Sequence, residues 1–165
     1  MERKLSQVEY ILCHGCGASI PDMTGPTHEY IGAPAGCWEI YGKILAKEYG
    51  DPLYFGVHQY TVDTYAVQHP GKPSRKSIQS VAVHLISLYL MLERGYNSNQ
   101  VIQARKSAAK SSHKFTWLEP PAYEYPITII DVIEANDVRE HSDRVKLWAE
   151  HTWNEWKKYQ NTIKD

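Results

Sequence analysis

The sequence predicts a mainly α-helical fold: a helical bundle around a buried central helix at about residues 77–94, with an irregular N-terminal loop clamped by a metal ion. Three observations lead to this prediction. Apolar residues recur at helical spacing through much of the chain after residue 38. Residues 78–93 are apolar on nearly all sides, which is typical of a helix buried in a core. Residues 13–37 are so rich in glycine and proline that no periodic pattern survives there.

The irregular loop spans about residues 13–37. A segment of about 25 residues without regular structure is longer than most loops, unless it has a function or is clamped. A bound metal ion supplies folding free energy that a loop rich in glycine and proline cannot obtain from packing. Residues 8–13, just before this loop, are one of the few stretches with any support as a strand.

The helical body spans about residues 38–160, and its first two helices end at clear stop signals. Residues 54–69 follow a helical pattern that Pro-Gly-Lys-Pro at 70–73 cannot continue. Before them, Gly50 ends a short amphipathic helix whose apolar positions are Tyr41, Leu45 and Tyr49.

Capping residues predict where the remaining helices begin. Ser74 or Ser77 can cap the central helix, and Ser98 can cap a more polar one. Thr128 opens a capping-box pattern. A long final helix is expected at about residues 137–159, with one face formed by Val138, His141, Val145, Trp148, Thr152 and Trp156.

The composition fits one domain, residues 1–165, and argues against two classes of partner. A chain of 165 residues has a common size for a single core. Its 18 lysines and arginines against 19 aspartates and glutamates provide no basic field for nucleic acid. The longest apolar stretch is interrupted by polar residues and is shorter than the roughly 20 residues that span a membrane. We therefore expect an unknown protein or small molecule as partner, with no nucleic acid and no membrane.

The N-terminus and the cysteines favour the cytoplasm. Residues 1–4 are charged, and neither an apolar stretch nor a small-residue cleavage site follows them. The chain has three cysteines, an odd number. In a reducing compartment a close cysteine pair is more often a metal or redox site than a structural disulfide.

Cys13, Cys16 and Cys37 are the predicted metal ligands, and zinc is the predicted metal. The Cys-x-x-Cys spacing lets two thiolates meet one ion, because a loop with neighbouring glycines can turn sharply. Cys37 adds a third soft ligand at the far end of the loop. His58 is the expected fourth ligand, with His28 or His14 as alternatives.

Four residues are candidates for a catalytic site: His58, Asp63, His69 and His84. His58 and His69 are close to three helical turns apart and would share a face, whereas Asp63 lies off it. His84 falls in the most apolar helix, where an imidazole needs a hydrogen bond or a metal, and Asp63, or Gln68 beside His69, could supply the hydrogen bond. Such a group suits a metal-dependent hydrolase or an acid–base pocket, although each residue alone is more typical of a structural role.

Several motifs stand together along the chain: Cys-His-Gly-Cys-Gly at 13–17, Val-Asp-Thr-Tyr-Ala-Val-Gln-His-Pro-Gly at 62–71, Gln-Ser-Val-Ala-Val-His-Leu at 79–85 and Trp-Leu-Glu-Pro-Pro at 117–121. In these motifs the chain resembles a family of small bacterial proteins of unknown function, DUF5946. The resemblance spans nearly the whole chain. It implies family membership and a bacterial, cytoplasmic setting, and it supplies no activity.

Three functions remain open at this point. The first is a small zinc-stabilised binding or regulatory protein with a structural metal, and it requires the fewest separate assumptions. A metal-dependent, hydrolase-like enzyme would need an open metal position and the His/Asp residues as ligand or base. A thiol-redox protein would use Cys13 and Cys16 as a reversible disulfide.

Overall fold

The computed structural model describes residues 7–111, 114–124 and 126–164, so the charged start of the chain lies outside the described residues. The mainly helical prediction is confirmed. The elements, in chain order, are β1 Tyr10–Leu12, β2 Ser19–Pro21, α1 Ala35–Gly50, α2 Pro52–Phe55, α3 His58–Gln68, α4 Arg75–Leu92, α5 Ser98–Ala109, α6 Ile129–Ile133, α7 Val138–Glu155, a 3₁₀ helix Lys157–Tyr159 and α8 Gln160–Lys164.

An antiparallel hairpin precedes the helices. Strands β1 and β2 pair with Ile11 opposite Ile20, and the turn between them contains the Cys-x-x-Cys motif. The Cys13 amide donates to the Ala18 carbonyl at 2.8 Å, which closes the turn. The segment predicted to be irregular therefore begins with a short ordered hairpin.

Helix α1 begins three residues before its predicted start. In the sequence, Gly36 is typical of a loop, but in the structure it is the second helical residue. A Cβ atom there would lie 2.2 Å from the Pro21 carbonyl oxygen, so glycine allows α1 to pack directly on β2. The buried face of α1 also differs from the prediction, because Ile44 and Glu48 are buried whereas Tyr49 is 68% exposed.

Side-chain caps define the later helix starts. Ser74 caps α4 in a capping box with Ser77, and Thr128 caps α6 as predicted. Asn97, rather than Ser98, caps α5, because its side chain accepts the Gln100 amide. Asparagine and serine are both good N-cap residues, so the sequence alone does not separate neighbouring candidates.

Two apolar clusters form the core. One joins the hairpin, α1 and the first part of α7, and includes Ile20, Ile44 and Trp148. The other surrounds the central helix α4 and includes Leu85, Leu88 and Trp153. None of the described helices is both long enough and apolar enough to cross a membrane.

Helix α3 is buried yet rich in polar residues, and it packs between α4 and α7. Its polar side chains reach different neighbours. Thr61 bonds to Glu48 on α1, Asp63 to His84 on α4, and Gln68 accepts the indole N–H of Trp148 on α7. Buried polar groups must be hydrogen-bonded, so these partners fix the position of α3.

Candidate metal centre

Three separate parts of the chain meet at a group of four side chains. Cys13 and Cys16 come from the hairpin turn, Cys37 from the first turn of α1, and His69 from the residue that ends α3. Their ligating atoms all lie within 4.8 Å of one another, and all four residues are buried. The group could hold a metal ion.

The turn that carries the first two cysteines needs its glycines. Gly17 adopts a φ of +80°, which glycine tolerates without the strain of a side chain. A Cβ atom on Gly15 would lie 2.4 Å from Cδ2 of the His69 ring. The turn can therefore close over His69 only because residue 15 has no side chain.

A hydrogen bond shows which nitrogen of the His69 ring carries a hydrogen. Its Nδ1 lies 2.7 Å from the Tyr65 carbonyl oxygen, which can only accept, so Nδ1 carries the hydrogen. The other nitrogen, Nε2, faces the sulfur of Cys37 at 3.4 Å. This orientation presents the lone pair of Nε2 to the cysteines, which is the arrangement that histidine ligands adopt.

The size of the group matches a tetrahedral zinc site. Zinc–sulfur bonds of about 2.3 Å and zinc–nitrogen bonds of about 2.0–2.1 Å place neighbouring ligand atoms about 3.6–3.8 Å apart. The Cys37 sulfur lies 3.4 Å from His69 Nε2, and no pair in the group exceeds 4.8 Å. Three thiols and one imidazole are also donors that zinc prefers.

The three thiols interact strongly with one another. Hydrogen bonds from Cys16 and Cys37 lower the pKa of Cys13. The same contact with Cys13 raises the pKa of Cys16, and it raises that of Cys37 to about 12. The three thiols therefore share hydrogen bonds within one group, and binding a metal ion through all three sulfurs would release their protons.

Tyr65 supports the group from one side. Burial raises the pKa of its phenol, which stays protonated and donates to the Cys37 sulfur at 3.3 Å. Its ring stacks on Tyr41, with centroids 3.8 Å apart, and on His69, with centroids 4.0 Å apart. These contacts restrict the orientation of His69 and of the Cys37 sulfur.

The fourth member of the cysteine group is His69, whereas the sequence predicted His58. His58 lies at the other end of α3 from His69, roughly 16 Å away at 1.5 Å per residue, and its Nδ1 lies 2.9 Å from Glu48 Oε1. His28 accepts the amides of Tyr30 and Ile31 through Nδ1. His69 was a catalytic candidate in the sequence, and Pro70, which forces α3 to end there, is a signal that could have pointed to it as a ligand.

Two other candidates form a pair away from the cysteines. His84 Nδ1 lies 2.6 Å from Asp63 Oδ1, and Gln59 donates to Asp63 Oδ2 at 3.0 Å. Asp63 is fully buried and His84 is 9% exposed. Of the two partners expected for the buried histidine, Asp63 makes the contact, whereas Gln68 bonds to Trp148 and to Ile127.

A third buried network was not anticipated in the sequence. Glu48 is fully buried, and its carboxylate contacts His58 at 2.9 Å, His141 Nε2 at 2.8 Å and the Thr61 hydroxyl at 2.7 Å. Burial alone would raise the pKa of Glu48, but hydrogen bonds from His141, His58 and Thr61 outweigh it and the pKa is lowered. Because Glu48 and His141 are 93 positions apart, sequence spacing gives no sign of this contact.

Fold and site together define a mainly helical protein with a three-cysteine, one-histidine group that could hold a metal ion. Residues 11–157 match a family of unknown function, DUF5946, and the chain belongs to that family. No curated protein and no solved structure matches the chain.

Proposed function

We propose that this protein binds one zinc ion through Cys13, Cys16, Cys37 and His69, and that the ion is structural. The observation that carries the proposal is the convergence of four buried donor atoms of the types that zinc prefers. The protein itself would have a binding or regulatory role, with a small molecule or another protein as partner. A bacterial cytoplasm, where thiols stay reduced, would suit the site.

Four protein ligands favour a structural ion over a catalytic one. A zinc ion that activates water keeps one position open, whereas structural zinc is closed by four protein ligands. The four residues here also come from three segments of the chain, and the 13 residues from Asp22 to Pro34, which link the hairpin to α1, contain neither strand nor helix. A zinc ion would therefore attach the hairpin to α1 and to the end of α3.

The same features disfavour the two alternatives. Reactive redox cysteines are usually partly exposed, but Cys13 and Cys16 are 3% and 1% exposed. A metal-dependent hydrolase would need its acid–base residues at the metal, yet Asp63 and His84 contact each other outside the group of four.

Elemental analysis of protein purified without added metal or a histidine tag tests the proposal. We expect about one zinc per chain in the wild type, as a four-ligand site requires. Cys16→Ser and His69→Ala should lose the zinc, whereas His58→Ala should retain it, because His58 bonds to Glu48 and Tyr49. A wild type without zinc, or a His69→Ala variant with full zinc, would overturn the proposal.

A further inference from the structure

We propose that a pocket beside the Asp63–His84 pair binds a small molecule that carries an oxyanion group, either a carboxylate or a phosphate. The pocket has a volume of about 400 Å³, and its polar walls include Tyr30, Lys76, Gln79, Ser80, His84 and Arg105. These residues differ from the proposed zinc ligands, so the two proposals can fail separately. The ligand site would supply the small-molecule partner of the proposed binding role.

His84 presents one nitrogen to this pocket. An ionised carboxylate only accepts hydrogen bonds, so the 2.6 Å contact with Asp63 places a hydrogen on Nδ1 of His84. Nε2, on the opposite side of the ring, has no hydrogen-bond partner among the described residues, and the ring lines the pocket. The second bond of Asp63, from Gln59, holds the carboxylate and therefore the ring in place.

Arg105 has unused hydrogen-bonding capacity at the same place. Its Nη1 is 4.0 Å from Asp63 Oδ1, too far for a hydrogen bond. Its Nε is buried and lacks a partner within the described part of the chain. An unpaired buried N–H is costly, and a carboxylate or phosphate oxygen is the partner that a guanidinium binds most strongly.

Among the described residues, the charged groups that line the pocket are both cationic. They are Lys76 and Arg105, whereas the Asp63 carboxylate is fully buried behind the His84 ring. Lys76 is paired with Glu29 at 2.8 Å, but both side chains are more than 60% exposed. Such a surface pair contributes little stability, so Lys76 can turn to an anion at small cost.

The pocket is also completed by the N-terminal part of the chain. Tyr30 belongs to the segment between β2 and α1, and the Gly32 amide of that segment donates to the His69 carbonyl at 2.9 Å. One wall is therefore attached to the residue that ends α3. The other walls come from α4 and α5, which contain none of the cysteines.

The test follows the His84 ring by NMR in protein labelled with ¹⁵N histidine, with the signals assigned by His84→Gln. Inorganic phosphate and sodium acetate are titrated separately, with sodium chloride at matched ionic strength as the reference. We expect a saturable shift of the His84 ring signals with at least one of the two anions and none with chloride. The anion that binds more tightly, phosphate or acetate, identifies the ligand group as a phosphate or a carboxylate.

Arg105→Gln should weaken that binding by about tenfold or more, the effect of losing a charge-assisted hydrogen bond. Arg139→Gln, an exposed arginine on α7, is the matched control and should leave binding unchanged. The shape of the circular dichroism spectrum of each variant shows whether it is folded. The proposal is wrong if neither anion gives a saturable shift, or if a folded Arg105→Gln binds as tightly as the wild type.

Discussion

At the scale of single residues, glycines decide where the cysteine turn can lie. Gly15 faces the His69 ring so closely that even a methyl group would overlap Cδ2. Gly42, in the middle of α1, has nothing within 4 Å of the position that a Cβ atom would occupy. The two glycines therefore offer the same substitution in a crowded and in an open environment.

Gly15→Ala should destabilise the folded protein by about 1–3 kcal/mol, the usual cost of overpacking a buried site. Gly42→Ala should instead stabilise it by about 0.5–1 kcal/mol, because alanine is the better residue in a helix. Urea denaturation of both variants and the wild type, at one zinc concentration, measures the difference. A Gly15→Ala protein as stable as Gly42→Ala would show that the turn does not close on His69 as described.

At the scale of elements, the metal centre was predictable where its signals are local, but not where it depends on the packing of α3. The spacing of Cys13 and Cys16 and the irregular loop up to Cys37 indicated three ligands, because those signals are local. The fourth ligand depends on where α3 ends relative to the hairpin, and the sequence does not contain that packing. Asp63 was predictable only as one of two candidate partners of His84, since a buried imidazole in an apolar helix requires a partner but does not identify it.

Glu48 links three helices in the same region, because it lies on α1 and its partners lie on α3 and α7. Glu48→Gln should lower the free energy of unfolding by about 3–5 kcal/mol at neutral pH, since removing one partner leaves a buried charge or donor uncompensated. Glu39→Gln, on the exposed side of the same helix, should change it by no more than about 0.5 kcal/mol.

The effect of Glu48→Gln should depend on pH. The pKa of Glu48 is lower in the folded protein than the ordinary value of 4.5. The contribution of Glu48 to the free energy of unfolding is therefore fully present above that value. It is lost as the pH falls through the lowered pKa. Chemical denaturation at a series of pH values should show that the difference in the free energy of unfolding between wild type and Glu48→Gln becomes smaller below about pH 4.5. Both proteins carry the same cysteine–histidine group, so any loss of metal in acid would affect them equally and the comparison isolates Glu48. A constant difference in the free energy of unfolding would contradict its role.

At the scale of the whole molecule, the two apolar clusters depend differently on the cysteines. Cys13, Cys16 and Cys37 belong to the cluster that joins the hairpin to α1. The cluster around α4 consists of aliphatic and aromatic residues of the later helices, such as Leu88 and Trp153. Loss of a structural metal should therefore affect the two halves of the core unequally.

Hydrogen exchange before and after chelation should reveal this difference. In the chelated protein, we expect the amides of the hairpin and of the first turn of α1 to exchange faster, because the clamp on them is removed. Amides in the middle of α4 should keep most of their protection. If both regions lost protection from exchange equally, the whole fold would depend on the metal. If neither region lost protection, the ion would not be structural.

All three cysteines of the chain are in this one group, and none of them forms a disulfide. A thiol-reactive dye therefore has no other sulfhydryl to label in this protein. Because the three cysteines are buried, the dye reaches them only when this part of the protein opens, and a bound metal ion should slow the labelling. The rate of labelling would thus serve as a colorimetric indicator of the proposed metal loading, without any engineered reporter.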